Sequence, residues 1–319
     1  MPRGKQIIKT IQLEERTLAQ AKEEFYKNNK VKGLAQETQK GYRNYIDHFA
    51  KWCGEDTPMS EITTKKLDDY LYMKTETGIK DVTLATIMVH IRRFINFCIS
   101  REYMEKIQVT IPKFEKELKD PYTEEEIRKL LARPKTKQWV EWRCYTMTNY
   151  FFSTGQRLST VLNIKVCDLD LKNAKVKLVW NKDKRQKYMP LSTALVKVLT
   201  EYIDLSDLKE QDYLFPEYEG KQLQRRSAED AMADYNHSRG VERQGIHLWR
   251  HTFARNYIVN GGNPVKLQKL LNHKTIEQTM KYVNLYSTDF AEDLDLFNPL
   301  DNFKRKNYQP TKRRTVAEV

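Results

Sequence analysis

The chain has 319 residues, which suggests two domains at roughly 150 residues each. With 39% hydrophobic and 31% charged residues it carries enough apolar side chain for folded cores, which excludes wholesale disorder, and the lack of a run of about 18 uncharged apolar residues excludes a membrane-spanning helix. Lysine and arginine number 56 against 43 aspartate and glutamate, a net +13 that points to a polyanionic partner, nucleic acid first, because each cation meeting a phosphate releases counterions.

Residues 1–16 are basic, lack the apolar stretch of a secretory leader and read as an N-terminal extension. A helix is predicted over Thr17–Lys27. Over Gln36–Cys53 the positions Tyr42, Tyr45, Ile46, Phe49 and Trp52 recur at three- and four-residue steps, one face of a helix. Thr64–Met73 is a shorter helix, with Leu67, Tyr70 and Leu71. Thr83–Ser100 repeats the stripe with Leu84, Ile87, Met88, Ile91, Phe94, Ile95 and Cys98. Four amphipathic helices over residues 17–110 make a small bundle. Lys40, Arg43, Arg92 and Arg93 lie off the apolar stripes and are available to a DNA backbone.

Residues 111–119 are charged, proline-bearing and aperiodic, and read as a linker. A second domain, residues 120–288, opens with Thr123 and Glu126, a capping box for a helix to Leu131. Trp139–Ser153 is a strongly apolar, buried helix. Ala174–Trp180 alternates, with Val176, Leu178 and Trp180 on one face, and a basic turn leads into Tyr188–Leu191, a short β-hairpin with a lysine-rich tip. Helices continue to about Tyr286. The tail, 289–319, carries Phe290, Leu294, Leu296, Phe297, Leu300 and Phe303, and either folds back on its own domain or docks on a neighbouring protomer. The fold class is mainly α, with a small β-hairpin or sheet in the second domain. Cys53, Cys98, Cys144 and Cys167 show no CxxC spacing and read as reduced core residues of a cytoplasmic protein, with no zinc site and no disulfide framework.

Three separated segments carry chemistry together. TGQRLSTVLNIKVCDLD places Arg157 at a turn after a buried helix. HLWRHTFA places His247 and Arg250 three residues apart, on one helical face. LLNHKTIEQTMKYVNL holds His273 and, nine residues later, Tyr282, and the hairpin adds Lys182. Each alone is an ordinary structural or solvated residue. Combined, two arginines, two histidines, a lysine and a tyrosine form a set for handling phosphate. Guanidinium presents planar paired donors to the oxygens that gain charge in a pentacoordinate phosphodiester. A tyrosine, with an ordinary pKa of about 10, needs a proton acceptor or a cationic surround to attack, and His247 suits that role. Lys182 on a hairpin can protonate a leaving 5′ oxygen. The scheme needs no metal or other cofactor, and no carboxylate cluster is present among these residues to hold a metal.

In order and spacing, Arg157, Lys182, His247-x-x-Arg250, His273 and Tyr282 resemble the signature of tyrosine recombinases, the phage integrase family. The matching text is TGQRLSTVLNI, NKDKRQKYMPL, HLWRHTFARNYIVNGG and LLNHKTIEQTMKYVNL. The resemblance implies that Tyr282 forms a 3′-phosphotyrosyl link and frees a 5′-hydroxyl, and that Arg157 and Arg250 clamp the phosphate. It further implies that His247 is the general-base or phosphate-orienting histidine, His273 the second histidine, and Lys182, eight residues before Pro190, the general acid, with Lys184 as the nearby alternative. The helical first domain corresponds to the family's core-binding domain. The expected partner is duplex DNA with short inverted core sites, bound by a homo-tetramer that exchanges strands through a Holliday junction and is a monomer or weak oligomer when free. An accessory directionality factor is compatible with this, Lys184 and Arg185 are further candidate DNA contacts, and the implied location is the cytoplasmic nucleoid. About 16 residues precede the first helix, too few for an arm-binding domain. Where the family has an acidic residue three positions after the first arginine this chain has Thr160, which implies altered tuning, and the usual Leu-Gly-His reads Leu271-Asn272-His273. Tyr286 is the nearby competitor of Tyr282. The alternative readings are a catalytically silent DNA-binding regulator and a type IB topoisomerase.

Overall fold

The computed structural model describes residues 14–114, 120–179 and 186–286. The chain divides into two compact units, Met1–Leu118 and Lys119–Val319. Lys182, Lys184, Arg185, Trp180, the extension up to residue 13 and the tail from residue 287 lie outside the described residues.

The first unit is built from α1 (Leu18–Val31), α2 (Gln36–Cys53), α3 (Thr64–Glu76) and α4 (Asp81–Ser100). Helix α1 starts at Thr17, whose hydroxyl accepts from the Gln20 N–H while the Gln20 amide oxygen accepts from the Thr17 N–H. These reciprocal bonds satisfy donors that a helix start leaves orphaned. Helix α3 is capped by Thr63 in the same way on one side. Along α4 the seven residues of the predicted stripe are all buried, because the three- and four-residue spacing puts them on one face. At about 1.5–3 kcal/mol for each large side chain removed from water, that face anchors the bundle. In α2 the stripe is buried at Ile46 and Phe49, half-buried at Tyr42 and Tyr45, and opens at Trp52, which is 38% exposed. Among the described residues α4 alone is long and apolar enough to cross a membrane by length and composition, but Arg92 and Arg93 interrupt it, so it holds no run of about 18 uncharged apolar residues. Its apolar face is occupied by the bundle core, and Arg92 and Arg93 on it are exposed.

The second unit holds α5 (Glu124–Leu130), α6 (Trp139–Thr154), α7 (Leu158–Val161), β1 (Leu169–Asp170), β2 (Lys175–Val179), β3 (Gln186–Pro190), α8 (Thr193–Leu205), α9 (Arg225–Ser238), α10 (Ile246–Val259), α11 (Pro264–Leu271) and α12 (Glu277–Tyr286). The capping box of Thr123 and Glu126 is formed as predicted. Helix α6 is buried around much of its circumference, through Trp142, Cys144, Tyr145, Met147, Tyr150 and Phe151, and packs against α8, α9 and α10. A helix apolar all round belongs in a core. The sheet is antiparallel in the order β1-β2-β3, with Val176 opposite Met189, and Val176, Leu178 and Met189 turn inward. Strand β1 was not anticipated, because two residues carry no alternation to read. The cysteines correct a second expectation. Cys98 and Cys144 are buried and Cys53 half-buried, but Cys167 is exposed, in the turn that leads into β1.

Candidate active site

Helix α6 ends at Gly155, which adopts the left-handed conformation with φ +60°. A Cβ there would lie 2.4 Å from the Phe253 ring and 2.7 Å from a Leu271 methyl, so the close approach as well as the backbone requires glycine. Gln156 follows, buried, its amide donating to the Leu270 carbonyl at 2.9 Å. Arg157 is then the residue that opens α7, half-buried. The sharp turn thus points an arginine out of the end of a core helix.

Helix α10 begins after Gly245 and carries His247, Arg250 and His251 on adjacent turns of one side. Arg250 is 3% exposed. Its guanidinium donates to the Gly155 carbonyl at 2.8 Å and to the Leu271 carbonyl at 2.7 Å. A buried cation persists only when its donors are matched, and here the match ties the end of α6 to the end of α11. Burial, with the positive charge of Arg157 acting the same way and Tyr282 opposing, pushes the Arg250 guanidinium down to about 10. It remains charged at neutral pH.

Helix α11 closes on Asn272, in the left-handed region at φ 49°, ψ 52°, and the His273 N–H bonds back to the Gln268 carbonyl at 3.1 Å. This accounts for asparagine where the resemblance expects glycine. Both residues tolerate the left-handed helix end, glycine for lack of a Cβ and asparagine through its short polar side chain. The His273 Nδ1 lies 2.8 Å from the Thr279 hydroxyl. Burial first, then the charges of Arg250, Arg157, His247 and His251, push its imidazole down to about 4. His273 is therefore neutral at physiological pH.

Tyr282 lies on α12, which packs against α10 and α11. Its ring is 5% exposed and lies among Ala254, Ile258, Leu267 and Leu271. The hydroxyl is 2.8 Å from Nδ1 of His251. That histidine was passed over in the sequence, although it sits inside HLWRHTFA, four residues after His247 and so one turn along the same helix. The two imidazoles meet edge to face with centroids 5.1 Å apart. His247 is exposed and lines one cleft with Arg157, Arg225, Glu229 and Asp230.

Five of the six residues expected from sequence, Arg157, His247, Arg250, His273 and Tyr282, thus sit on the turn between α6 and α7, on α10, at the end of α11 and on α12. Lys182 lies outside the described residues. On β3, Lys187 donates to the Lys269 carbonyl at 2.7 Å, fastening the hairpin to the end of α11. Of the candidate DNA contacts, Arg92 and Arg93 are exposed, Lys40 pairs with Glu37 at 3.1 Å, and the exposed Arg43 stacks its guanidinium over Tyr26 at 4.3 Å. Lys184 and Arg185 are outside the described residues.

Comparison with known proteins gives a consistent set. Residues 122–288 match the model of the phage integrase family, and residues 22–77 match the N-terminal SAM-like domain of phage integrases. The chain is 25% identical over 264 residues to the tyrosine recombinase XerD of Pseudomonas aeruginosa, covering 80% of this chain and 88% of that protein. With XerD of Staphylococcus haemolyticus the identity is 25% over 289 residues, 87% of this chain and 98% of the relative. In fold it resembles the Tn1549 transposon integrase in complex with transposon right end DNA, with TM-score 0.70 and 15% identity over 88% of this chain and 99% of that one. It also resembles a lambda integrase tetramer bound to a Holliday junction, with TM-score 0.69 and 17% identity over 87% of this chain and 80% of that one.

Proposed function

Because the chain belongs to the phage integrase family and is a tyrosine site-specific recombinase, we propose that it cuts and rejoins duplex DNA through a 3′-phosphotyrosyl intermediate on Tyr282. In this reading Arg157 and Arg250 hold the non-bridging oxygens of the scissile phosphate, where charge grows in the transition state. His247, exposed in the cleft beside Arg157, joins them on the phosphate, and neutral His273 supplies a hydrogen bond without adding charge. Lys182 protonates the leaving 5′ oxygen. The energy of the broken bond stays in the phosphotyrosine, so rejoining needs no nucleotide. Residues 17–110 bind DNA as the core-binding domain, 111–119 link it to the catalytic domain of 120–288, and the tail of 289–319 docks on a neighbouring protomer. Four protomers then exchange strands at inverted core sites through a Holliday junction.

The observation that carries this reading is the Tyr282 hydroxyl held 2.8 Å from α10, the helix that also presents His247 and the buried Arg250. A tyrosine hydroxyl within hydrogen-bond distance of an imidazole whose helix also carries a buried guanidinium suits phosphoryl transfer to tyrosine. The test uses nicked duplexes drawn from DNA flanking the gene, which trap a covalent intermediate when the short strand diffuses away. Wild-type protein is expected to give an adduct that peptide mass spectrometry maps to Tyr282, and Tyr282→Phe to bind the same DNA without forming it. An adduct that persists in Tyr282→Phe moves the nucleophile to another residue, Tyr286 first. Salt-sensitive binding with no adduct in wild type replaces this reading with that of a silent regulator.

A further inference from the structure

The chemistry above leaves one group without a role. Attack by Tyr282 on phosphorus requires its phenolic proton to go somewhere. With only 5% of the residue exposed, bulk water is a poor recipient. The hydroxyl lies within hydrogen-bond distance of His251 Nδ1, at 2.8 Å. Two other imidazoles are near but differently engaged. His247 is one turn earlier, edge-on to His251, and exposed toward the cleft. His273 has its Nδ1 on the Thr279 hydroxyl.

We propose that His251 is a catalytic residue, the proton acceptor of the Tyr282 hydroxyl during cleavage and its donor during religation. The inference rests on the reading of Tyr282 as nucleophile. In this assignment the phenolic O–H donates to Nδ1 and the neutral ring carries its own hydrogen on Nε2. In cleavage the phenolic O–H breaks and its proton passes to Nδ1, giving an imidazolium. The phenolic oxygen bonds to phosphorus, the bond from phosphorus to the 5′ oxygen breaks, and that oxygen takes its proton from the general acid assigned to Lys182. Religation runs every transfer backward, His251 returning the proton to the departing phenolate.

The surrounding charges give this acceptor a built-in dependence on substrate. His251 meets His247 of its own helix edge to face and the Tyr282 hydroxyl from α12, and the charges of Arg157, Arg250, His247 and His251 all bear on one group, His273 at the end of α11. In this proposal the positive charges of Arg157 and Arg250, which act on the same cluster, oppose a further positive charge on His251 while no phosphate is present. A phosphodiester anion seated on the arginines offsets that repulsion. Proton transfer therefore becomes favourable when DNA occupies the site, and the nucleophile stays a neutral phenol otherwise.

The test measures single-turnover cleavage and religation by the full-length protein on the nicked flanking duplexes. It compares wild type, Tyr282→Phe, His251→Asn and His251→Ala. Asparagine places an amide near the position of Nδ1 and keeps a hydrogen-bond partner for the phenol, but it cannot take the proton. Both His251 variants are expected to bind DNA normally and to cleave about 100-fold more slowly, the lower end of what a general base contributes. Religation, started by adding a strand with a 5′-hydroxyl back to the trapped adduct, is expected to slow by the same factor. Added imidazole is expected to speed His251→Ala but not His251→Asn. A wild-type rate in His251→Asn would reduce His251 to a positioning residue and overturn the proposal. So would slowed cleavage with unchanged religation, or no response of His251→Ala to imidazole. Absence of any Tyr282 adduct in wild type is a different failure, that of the underlying reading, and takes this inference with it.

Discussion

Gly155→Ala tests whether the geometry of the site depends on one backbone position. The left-handed conformation at φ +60° costs an alanine about 1 kcal/mol relative to glycine. Its Cβ would also stand 2.4 Å from Phe253 Cδ1 and 2.7 Å from Leu271 Cδ2. Relieving such overlap in a packed region costs about 1–3 kcal/mol, so the expected loss is about 2–4 kcal/mol. The displaced residues are not passive. The Leu271 carbonyl receives Arg250, as does the carbonyl of Gly155 itself, and Arg157 is two residues downstream. Urea unfolding followed by a probe of the second unit should show a lower midpoint at unchanged slope. A double-mutant cycle with Phe253→Ala separates the two contributions. The strain of about 1 kcal/mol should persist in both backgrounds, while the overlap with the ring should appear as a coupling above about 0.5 kcal/mol. A loss below about 1 kcal/mol, or no coupling to Phe253, would refute the claim that close packing demands glycine here.

Arg157→Ala should leave DNA binding largely intact and cut single-turnover cleavage by more than about 100-fold, equivalent to about 2.7 kcal/mol in the barrier; a loss under about tenfold would remove it from the phosphate clamp. His273 gives a pH signature of definite sign. Its folded value of about 4 lies below the ordinary 6.5, so the unfolded chain takes the proton first and stability falls as pH drops from 6.5 toward 4. For a fully buried group the gap amounts to about 3.4 kcal/mol; the ring is half-buried, and solvent screening reduces the expectation to about 1–2 kcal/mol. His273→Gln should flatten the stability profile in that window, measured by urea unfolding at a series of pH values. Arg92→Ala and Arg93→Ala, both at exposed positions, should weaken DNA binding without changing its sequence preference, each lowering the salt slope by about 0.9. An unchanged slope would place the backbone contacts elsewhere on the bundle.

The sequence by itself determined the elements and the chemical inventory. The stripe of α4 and the capping box of Thr123 and Glu126 were legible because helical periodicity and capping are local, set by residues a few positions apart. Arg157, His247, Arg250, His273 and Tyr282 were legible as a candidate set through their order and spacing, which resemble the tyrosine recombinase signature, and the fold places them at the start of α7, on α10, at the end of α11 and on α12. Where local signal is thin the reading failed. Strand β1 is two residues long, and Cys167 sits exposed in a turn whose composition says nothing about burial.

Tertiary structure alone decided which groups touch. His251 is one more histidine in the text, four residues from His247, and only the docking of α12 onto α10 brings the Tyr282 hydroxyl to its Nδ1. Arg250 reads as a free cation for phosphate, yet the fold sets it on two backbone carbonyls 95 and 21 residues away. Asn272 gained its meaning from a left-handed backbone angle at the end of α11. In each case the deciding contact joins residues distant in sequence or depends on a backbone angle that neighbouring elements impose. Pairings of that kind are fixed by the packing of the whole unit, which no local pattern of residues encodes.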